Sequence, residues 1–256
     1  MSTRIPPFLE PYLALPPEAS LVLLTSVLGA SSNWLVLRYL YSYLKSSSTG
    51  ENKDVGVVLV SFMRDGVFWR EGAGRLGLDL DAMGRNGHFT FVDGLSGLFT
   101  GAPGTGSDRT LRSSGTDHVR SELEAALGDV RTGTKVLIID QLDALLAASG
   151  EDVTSTSLSA MLLSLRERVH STVITLSADD PLLHAQATTL EREHAALVVG
   201  QAHAAGRVLA LRMLDTGTAR DVSGVLRITG PLEDEGREYL YYVAGDGSVK
   251  VFERGT

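Results

Sequence analysis

The sequence predicts an α/β fold in which helices flank a central, mostly parallel β-sheet, and an antiparallel meander closes that sheet at its C-terminal end. The segments Val55–Phe62 and Lys135–Asp140 are almost continuously apolar, as strands covered on both faces require. Helical patterns separate such strands through most of the chain. From Val208 onwards, short strands follow one another with only turn residues between them.

The first elements are an arm, a strand and a helix. The proline-rich residues 1–20 predict an extended arm laid over the edge of the domain. Leu21–Thr25 is a short apolar run with the length of a buried strand, and the small residues Ser26–Ser32 follow it as a loop. Asn33–Leu44 has apolar side chains at the spacing of one helical face, which predicts a helix.

The middle of the chain continues this alternation. Val55–Phe62 is the second strand, Phe68–Leu76 is helical, and His88–Val92 is the third strand. Residues 101–115 are rich in Gly, Ser and Thr, a composition that is typical of a flexible loop. The region therefore interrupts the βα pattern.

The next elements are two helices and two strands. The periodicity predicts helices over Asp117–Leu127 and Leu158–Val169, and apolar runs predict strands over Lys135–Asp140 and Ser171–Leu176. The first of these two strands ends in a carboxylate.

The C-terminal quarter predicts an antiparallel meander. Its tightest turn is Gly245–Gly247, where glycine and aspartate tolerate the positive φ angles of a hairpin. The predicted strands are Val208–Leu214, Val225–Ile228, Glu238–Val243 and Ser248–Phe252. No internal repeat or second-domain linker interrupts the chain, so we expect one domain over residues 1–256.

Composition excludes several classes of function. The 256 residues carry a net charge of −8, which argues against a self-sufficient nucleic-acid binder but leaves room for one basic loop on a shared surface. The six histidines stand singly and cysteine is absent, so the sequence predicts neither a metal site nor disulfides. The chain contains no apolar run of transmembrane length, and we expect a cytoplasmic or nuclear location with no membrane contact.

A phosphate-binding loop is expected where the first strand meets the first long helix. A working loop of this kind reads GxxxxGK[ST], and its lysine binds the β- and γ-phosphates. In this register Ser26 and Ser31 replace the two glycines, Ser32 replaces the lysine, and Asn33 replaces the Ser/Thr that holds magnesium. Asp140, at the end of its strand, matches the carboxylate expected near magnesium, although many parallel strands end in aspartate for turn or cap reasons. The pattern is that of a RecA-like domain without the phosphate-binding lysine.

Several segments resemble the Elongator complex protein 6 family. The opening resembles it through Leu23–Ser26 and Ser31–Leu35, and the central strand through Val136–Asp140. The C-terminal block is the more specific part, because RecA-like proteins in general do not share it. That block consists of Gly217–Leu226, Glu238–Tyr241 and Lys250–Phe252.

The resemblance implies a RecA-like fold without a working phosphate loop and no catalysis by this chain alone. It implies a six-membered ring in which this subunit alternates with Elongator proteins 4 and 5. That ring belongs to the complex that begins the carboxymethyl-type modification of wobble uridine in tRNA, and another, catalytic Elongator subcomplex performs the radical chemistry. The ring is expected to bind tRNA. No cofactor is expected, with ATP at ring interfaces left open.

Arginines are the candidate tRNA contacts, because phosphate contact requires cations. Arg64 and Arg70 follow the second strand, and Arg109 and Arg112 lie in the predicted flexible loop. For each of them, a solvated side chain or a salt bridge is the alternative. Arg220 and Asp221 are interpreted as a structural or intersubunit ion pair, hence as assembly candidates.

Two other functions stay open at the level of sequence. The chain could be an active ATPase with an unusual phosphate loop, in which Asp140 would serve magnesium. It could also be a recombination-mediator paralogue that binds DNA. Both share the RecA-like fold, so they differ from the first interpretation in activity and partner.

Overall fold

A computed structural model describes residues 4–48, 54–100, 108–214, 219–230 and 233–253, with the side chains of 46–48 and 233–235 excepted. Within these residues the strands form one ten-stranded sheet in the order β10-β9-β8-β7-β1-β6-β5-β2-β3-β4. The strands are β1 Ser20–Ser26, β2 Val55–Ser61, β3 Phe89–Asp93, β4 Arg109–Thr110, β5 Thr134–Asp140, β6 Ser171–Ser177, β7 Arg207–Arg212, β8 Gly224–Gly230, β9 Glu233–Val243 and β10 Val249–Glu253.

Helices cover both faces of the parallel part of the sheet. They are α1 Glu10–Leu13, α2 Asn33–Ser48, α3 Gly66–Arg75, α4 Leu80–Arg85, α5 Thr116–Asp129, α6 Leu142–Ala148, α7 Ser155–Arg166, α8 Asp180–His184 and α9 Thr189–Ala204. No helix among the described residues is long and apolar enough to cross a bilayer.

The sheet is parallel from β4 through to β7 and antiparallel from β7 to β10. This confirms the predicted mostly parallel sheet with a C-terminal meander. The predicted hairpin turn joins β9 to β10, and Gly247 takes the expected positive φ of 81°. Strand β6 lies between β1 and β5, so one strand separates the predicted phosphate loop from Asp140.

Two apolar cores explain why the central strands are apolar throughout. In β1, Val22 and Leu24 pack with α2 on one face, whereas Leu21 and Leu23 pack with α7 and α9 on the other. The same alternation runs through β2 and β5. A strand with both faces buried has no polar side in its interior, and its polar residues are confined to its ends.

Those polar ends meet along one line, which we call the carboxyl edge: the side of the sheet where β1, β2, β3, β5 and β6 end. In the strand register Ser26 stands beside Ser177, and Ser61 stands between Asp140 and Asp93. Parallel strands bring their carboxyl ends to the same edge, which is where open α/β sheets bind ligands. The fold therefore places Ser26 and Asp140 on one edge.

The N-terminal residues differ from the predicted extended arm over 1–20. Pro7–Leu9 form a 3₁₀ turn and Glu10–Leu13 form α1, with prolines at the first helical positions where the missing N–H costs nothing. Leu9 and Leu13 are fully buried, and they pack with the core on the α2 side. The segment is therefore a folded part of the domain.

The loop predicted over residues 101–115 also needs correction in its second half. Residues 101–107 lie outside the described residues. Arg109 and Thr110 form β4 and pair with Val92 and Asp93 of β3, and Leu111 is fully buried. Arg109–Thr110 are therefore an edge strand of the sheet, whereas residues 112–115 have no regular secondary structure.

Candidate functional site

The loop between β1 and α2 folds as a tight turn. The Ala30 N–H donates to the Val27 carbonyl oxygen at 2.9 Å, and Gly29 has a φ of 90° that favours glycine. The Leu28 N–H donates to Asp179 Oδ1 at 2.8 Å, so a carboxylate takes a backbone donor at the tip of this loop. A phosphate-binding loop instead directs its backbone N–H groups at the ligand.

The four residues of the predicted phosphate register lie in this loop and at the start of α2. The Ser26 carbonyl accepts the Ala178 N–H at 2.7 Å, and the Ser31 Oγ accepts the Asn33 N–H at 3.3 Å. Ser32, at the lysine position, is only 1% exposed. Its carbonyl accepts the Leu35 and Val36 N–H groups of α2, and its Oγ has no partner among the described residues.

Asp140 is a fully buried carboxylate that neutral donors satisfy. Ser61 Oγ donates to Asp140 Oδ2 at 2.8 Å, and Thr175 Oγ1 donates to Asp140 Oδ1 at 2.9 Å. Burial raises the pKa of Asp140 to about 6, against the opposing effects of the two hydroxyls and of the Arg64 charge. Both oxygens are therefore engaged by hydroxyl groups of neighbouring strands.

A polar network around Asp140 was not predicted. Gln141 has a left-handed φ of 55°, and its N–H donates to Thr175 Oγ1 at 2.7 Å. Ser177 Oγ donates to the Gln141 side-chain oxygen at 3.1 Å, and its N–H donates to Asp143 Oδ2 at 3.2 Å. The signal that could have found these residues is a polar side chain at the end of each apolar strand.

Two of the four candidate tRNA-binding arginines are held by acids. Arg70 forms a bidentate ion pair with Asp108, with one of its two bonds at 2.9 Å, and it also contacts Asp81 at 2.7 Å. These partners raise the Arg70 pKa. Both Arg70 and Asp108 line a groove beside β3.

Arg109 lies in the same groove and is paired as well. It contacts Asp129 at 2.7 Å and Glu122 at 3.4 Å, and these acids raise the Arg109 pKa, with the hydrogen bond that Arg109 donates to Asp129 as the largest cause. A paired guanidinium has less capacity left for a phosphate than a solvated one.

Arg64 and Arg112 are exposed at the carboxyl edge. The Arg64 guanidinium lies over the Phe68 ring at 5.2 Å from its centroid, and its backbone N–H donates to Ser61 Oγ at 3.0 Å. Arg112 follows β4 closely, and its backbone N–H donates to His118 Nε2 at 3.3 Å. The four arginines are thus divided between two surfaces.

The assembly candidates Arg220 and Asp221 are both exposed in the connection between β7 and β8. Within the described part of this connection, residues 219–223, no ion pair joins them. The cross-strand pair that the structure does contain nearby links Arg212 to Glu238 at 3.2 Å.

A triphosphate with magnesium fits these side chains poorly. The position of the phosphate-binding lysine is a buried serine, the loop amide of Leu28 is bound by Asp179, and both oxygens of Asp140 are engaged. The fold and site together define a RecA-like α/β domain in which hydrogen bonds within the chain engage the Leu28 amide and both oxygens of Asp140 at the carboxyl edge. One solved relative of this class is a KaiC-like protein of the archaeon Pyrococcus horikoshii OT3, with a TM-score of 0.62, 14% sequence identity and 98% of each chain covered.

Within that class, the chain matches the family described as Elongation complex protein 6 over residues 13–238. It therefore belongs to this family, and it is an Elongator subunit with a RecA-like fold. A curated relative, the Elongator complex protein 6 homolog of Schizosaccharomyces pombe, is 25% identical over 184 residues, which cover 66% of this chain and 68% of the relative.

Proposed function

We propose that this chain is a non-catalytic subunit of a hetero-hexameric Elongator ring, in which it alternates with Elongator proteins 4 and 5. The ring binds tRNA and supports the modification of wobble uridine that the catalytic Elongator subcomplex performs. Membership of the family and the RecA-like fold support the role within Elongator. The geometry of the site supports the absence of catalysis by this chain.

The observation that carries the proposal is the contact between the Leu28 N–H and Asp179. It puts a negative carboxylate at the tip of the loop where a nucleotide would place its negative phosphates. A backbone donor that is already bound to a carboxylate contributes no binding energy to a second anion. Repulsion between the two anions adds a further cost.

The chemistry of Asp140 supports the same conclusion. A magnesium-bound aspartate is ionised and directs an oxygen at the metal. Asp140 has a pKa raised to about 6 by burial, and two hydroxyls donate to its oxygens. Its geometry is that of a structural link between β2, β5 and β6.

The proposal is tested by measuring whether the chain assembles with its two Elongator partners. We expect the purified chain alone to be a monomer or dimer, and to enter a complex with the mass of a hexamer when it is co-expressed with both Elongator partners. Light scattering coupled to gel filtration measures both masses. A wild-type chain that stays outside the partner complex would contradict the proposal.

The DNA-binding alternative predicts a different defect on deletion of the gene. We expect wobble-uridine modification to be lost while recombination stays normal, measured by mass spectrometry of tRNA nucleosides and by a recombination assay. The reverse result would favour a recombination mediator.

A further inference from the structure

Exposed apolar side chains concentrate at the carboxyl edge. Eight large apolar side chains are exposed among the described residues, and five of them lie in loops, or in the first turns of helices, on the C-terminal side of β1, β2, β3 and β6. These five are Leu28 at 88% exposure, Leu190 at 46%, Met63 and Val67 at 44%, and Phe99 at 43%. Where exposed apolar side chains form a contiguous patch, the patch marks an interaction site.

Three of these side chains line one groove. Met63, Phe99 and Leu190 surround a cavity of about 570 Å³, together with Phe62 and Leu95. The groove thus runs between the loop after β2, the segment after β3 and the start of α9. Its walls are predominantly hydrocarbon.

The groove contains a buried carboxylate that forms no ion pair among the described residues. Asp143 is 8% exposed and lines the cavity. Its Oδ2 accepts the Ser177 N–H, whereas its Oδ1 has no hydrogen-bond partner among the described residues. A buried carboxylate oxygen without a donor is unfavourable. Glu191, also in the lining, adds a second acid.

Leu28 is held in a fixed position beside this groove. The turn Val27–Ala30 and the bond to Asp179 fix its backbone. Asp179 immediately precedes α8, whose Leu182 lines the cavity. Because the backbone is already fixed, covering this residue costs no further backbone entropy when a partner binds.

We propose that the groove at the carboxyl edge is a protein docking site, and that a neighbouring chain fills it with apolar side chains and directs an arginine or lysine at Asp143. The inference rests on the proposed role in an assembly, and it names the surface and the chemistry of the partner segment. Charge complementarity selects this occupant, because the buried acid of the groove attracts a cation. The same acids repel the phosphates of RNA, which therefore does not fit the groove.

The test uses the chain co-expressed with the two Elongator partners. Leu190→Glu and Met63→Glu put a charge into the groove at half-exposed positions, so the isolated variants are expected to keep the wild-type melting temperature. We expect each to weaken partner binding at least about tenfold, as substitutions in the centre of an interface do. The matched controls are Leu163→Glu and Val199→Glu, which change exposed apolar residues of α7 and α9 away from the edge and should leave binding unchanged.

Asp143→Asn tests whether the negative charge of Asp143 contributes to partner binding. We expect it to weaken binding about tenfold or more and to reduce the dependence of binding on salt, because it removes one partner of a desolvated ion pair.

Folded groove variants that bind the partners as tightly as wild type would overturn the inference while leaving the ring proposal intact. A self-associating wild type whose dimer is lost in Met63→Glu would also overturn it, because the occupant would then be a second copy. Failure of the wild type to bind the partners would instead refute the proposed function itself.

Discussion

Asp140 stands where a RecA-type ATPase needs a carboxylate, and its buried environment makes ionisation harder than in an exposed aspartate. Full burial outweighs the two hydroxyl donors and the charge of Arg64, and it raises the pKa of Asp140 to about 6. Ionising Asp140 in the folded state therefore costs free energy at neutral pH, and this cost lowers the stability of the fold. The effect can be measured directly, because it makes the free energy of unfolding depend on pH.

We predict that Asp140→Asn stabilises the chain relative to wild type as the pH rises. The native pKa is above the unfolded value of 3.8, so the stabilisation from Asp140 is complete below pH 4 and is lost as the pH rises through about 6. The loss is on the order of 3 kcal/mol, from about two pKa units. Urea unfolding of both proteins between pH 4 and 7.5 should give a free-energy difference that grows with pH, and a constant difference would refute this assignment.

Arg112 is the clearest tRNA candidate, because it is exposed and closely follows the edge strand β4. We predict that Arg112→Glu lowers the affinity of the assembled ring for tRNA. The slope of log affinity against log salt should also become shallower by roughly 0.7 to 0.9 for each phosphate that the ring no longer binds. Filter binding over a salt series measures both quantities.

Arg131→Glu is the matched control, since Arg131 is an exposed arginine that precedes β5, at the opposite edge of the sheet. Equal weakening of tRNA binding in both variants would show a nonspecific effect of charge. Arg70 and Arg109 are unsuitable for this comparison, because reversing their charge also breaks ion pairs within the domain.

The residues of the site could be predicted only in part. Asp140 was predictable because a carboxylate ends an apolar run. Its partners Ser61 and Thr175 were not, because the pairing of β5 with β2 and β6 depends on strand order. The acids bound to Arg70 and Arg109 were missed because they become neighbours of these arginines only in the folded chain.

At the scale of elements, the N-terminal segment and α9 show why some pieces were missed. Helix α9 carries a signal at its start, where Thr188 and Glu191 form a capping box. Its interior is rich in alanine, so large apolar side chains do not form a marked stripe along one face of the helix. The N-terminal helix has only four residues, too short for periodicity to show, and tertiary burial of Leu9 and Leu13 fixes it instead.

We predict that Leu13→Ala destabilises the domain by about 2 to 5 kcal/mol, the range for removing a buried leucine side chain. Leu13 is fully buried against the core on the α2 side. The control Glu10→Ala changes an exposed residue of the same helix and should cost less than about 0.5 kcal/mol. Denaturant midpoints measure the stability of both variants. A midpoint for Leu13→Ala as high as that of Glu10→Ala would mean that burial of this segment contributes little to stability.

At the scale of the whole molecule, the fold was predictable because its strands have distinct patterns. Strands covered on both faces are apolar throughout, whereas β7 of the meander alternates: it buries Leu209 and Leu211, and the residues beside them are less buried. The order of the strands in the sheet was not predictable, because it depends on packing between distant segments.

We predict that the isolated chain neither binds nor hydrolyses ATP with magnesium. A ligand at a hundredfold its Kd stabilises a native protein by about 2.7 kcal/mol, so binding would raise the melting temperature clearly. We expect no shift at millimolar ATP, and no release of phosphate. Turnover that Asp140→Ala abolishes would instead favour the active-ATPase alternative.

The contact between the Leu28 amide and Asp179 bears on how such a chain can change over evolution. Ser32→Lys alone would not restore a nucleotide enzyme, because position 32 is 1% exposed and the opposing acid would remain. Reversal needs several coordinated substitutions, and the early ones, such as a lysine in a buried position, are harmful by themselves. Under the proposed non-catalytic role, a nucleotide-binding loop would have to regain its lysine, an unbound Leu28 amide and a loop tip without an acid at the same time.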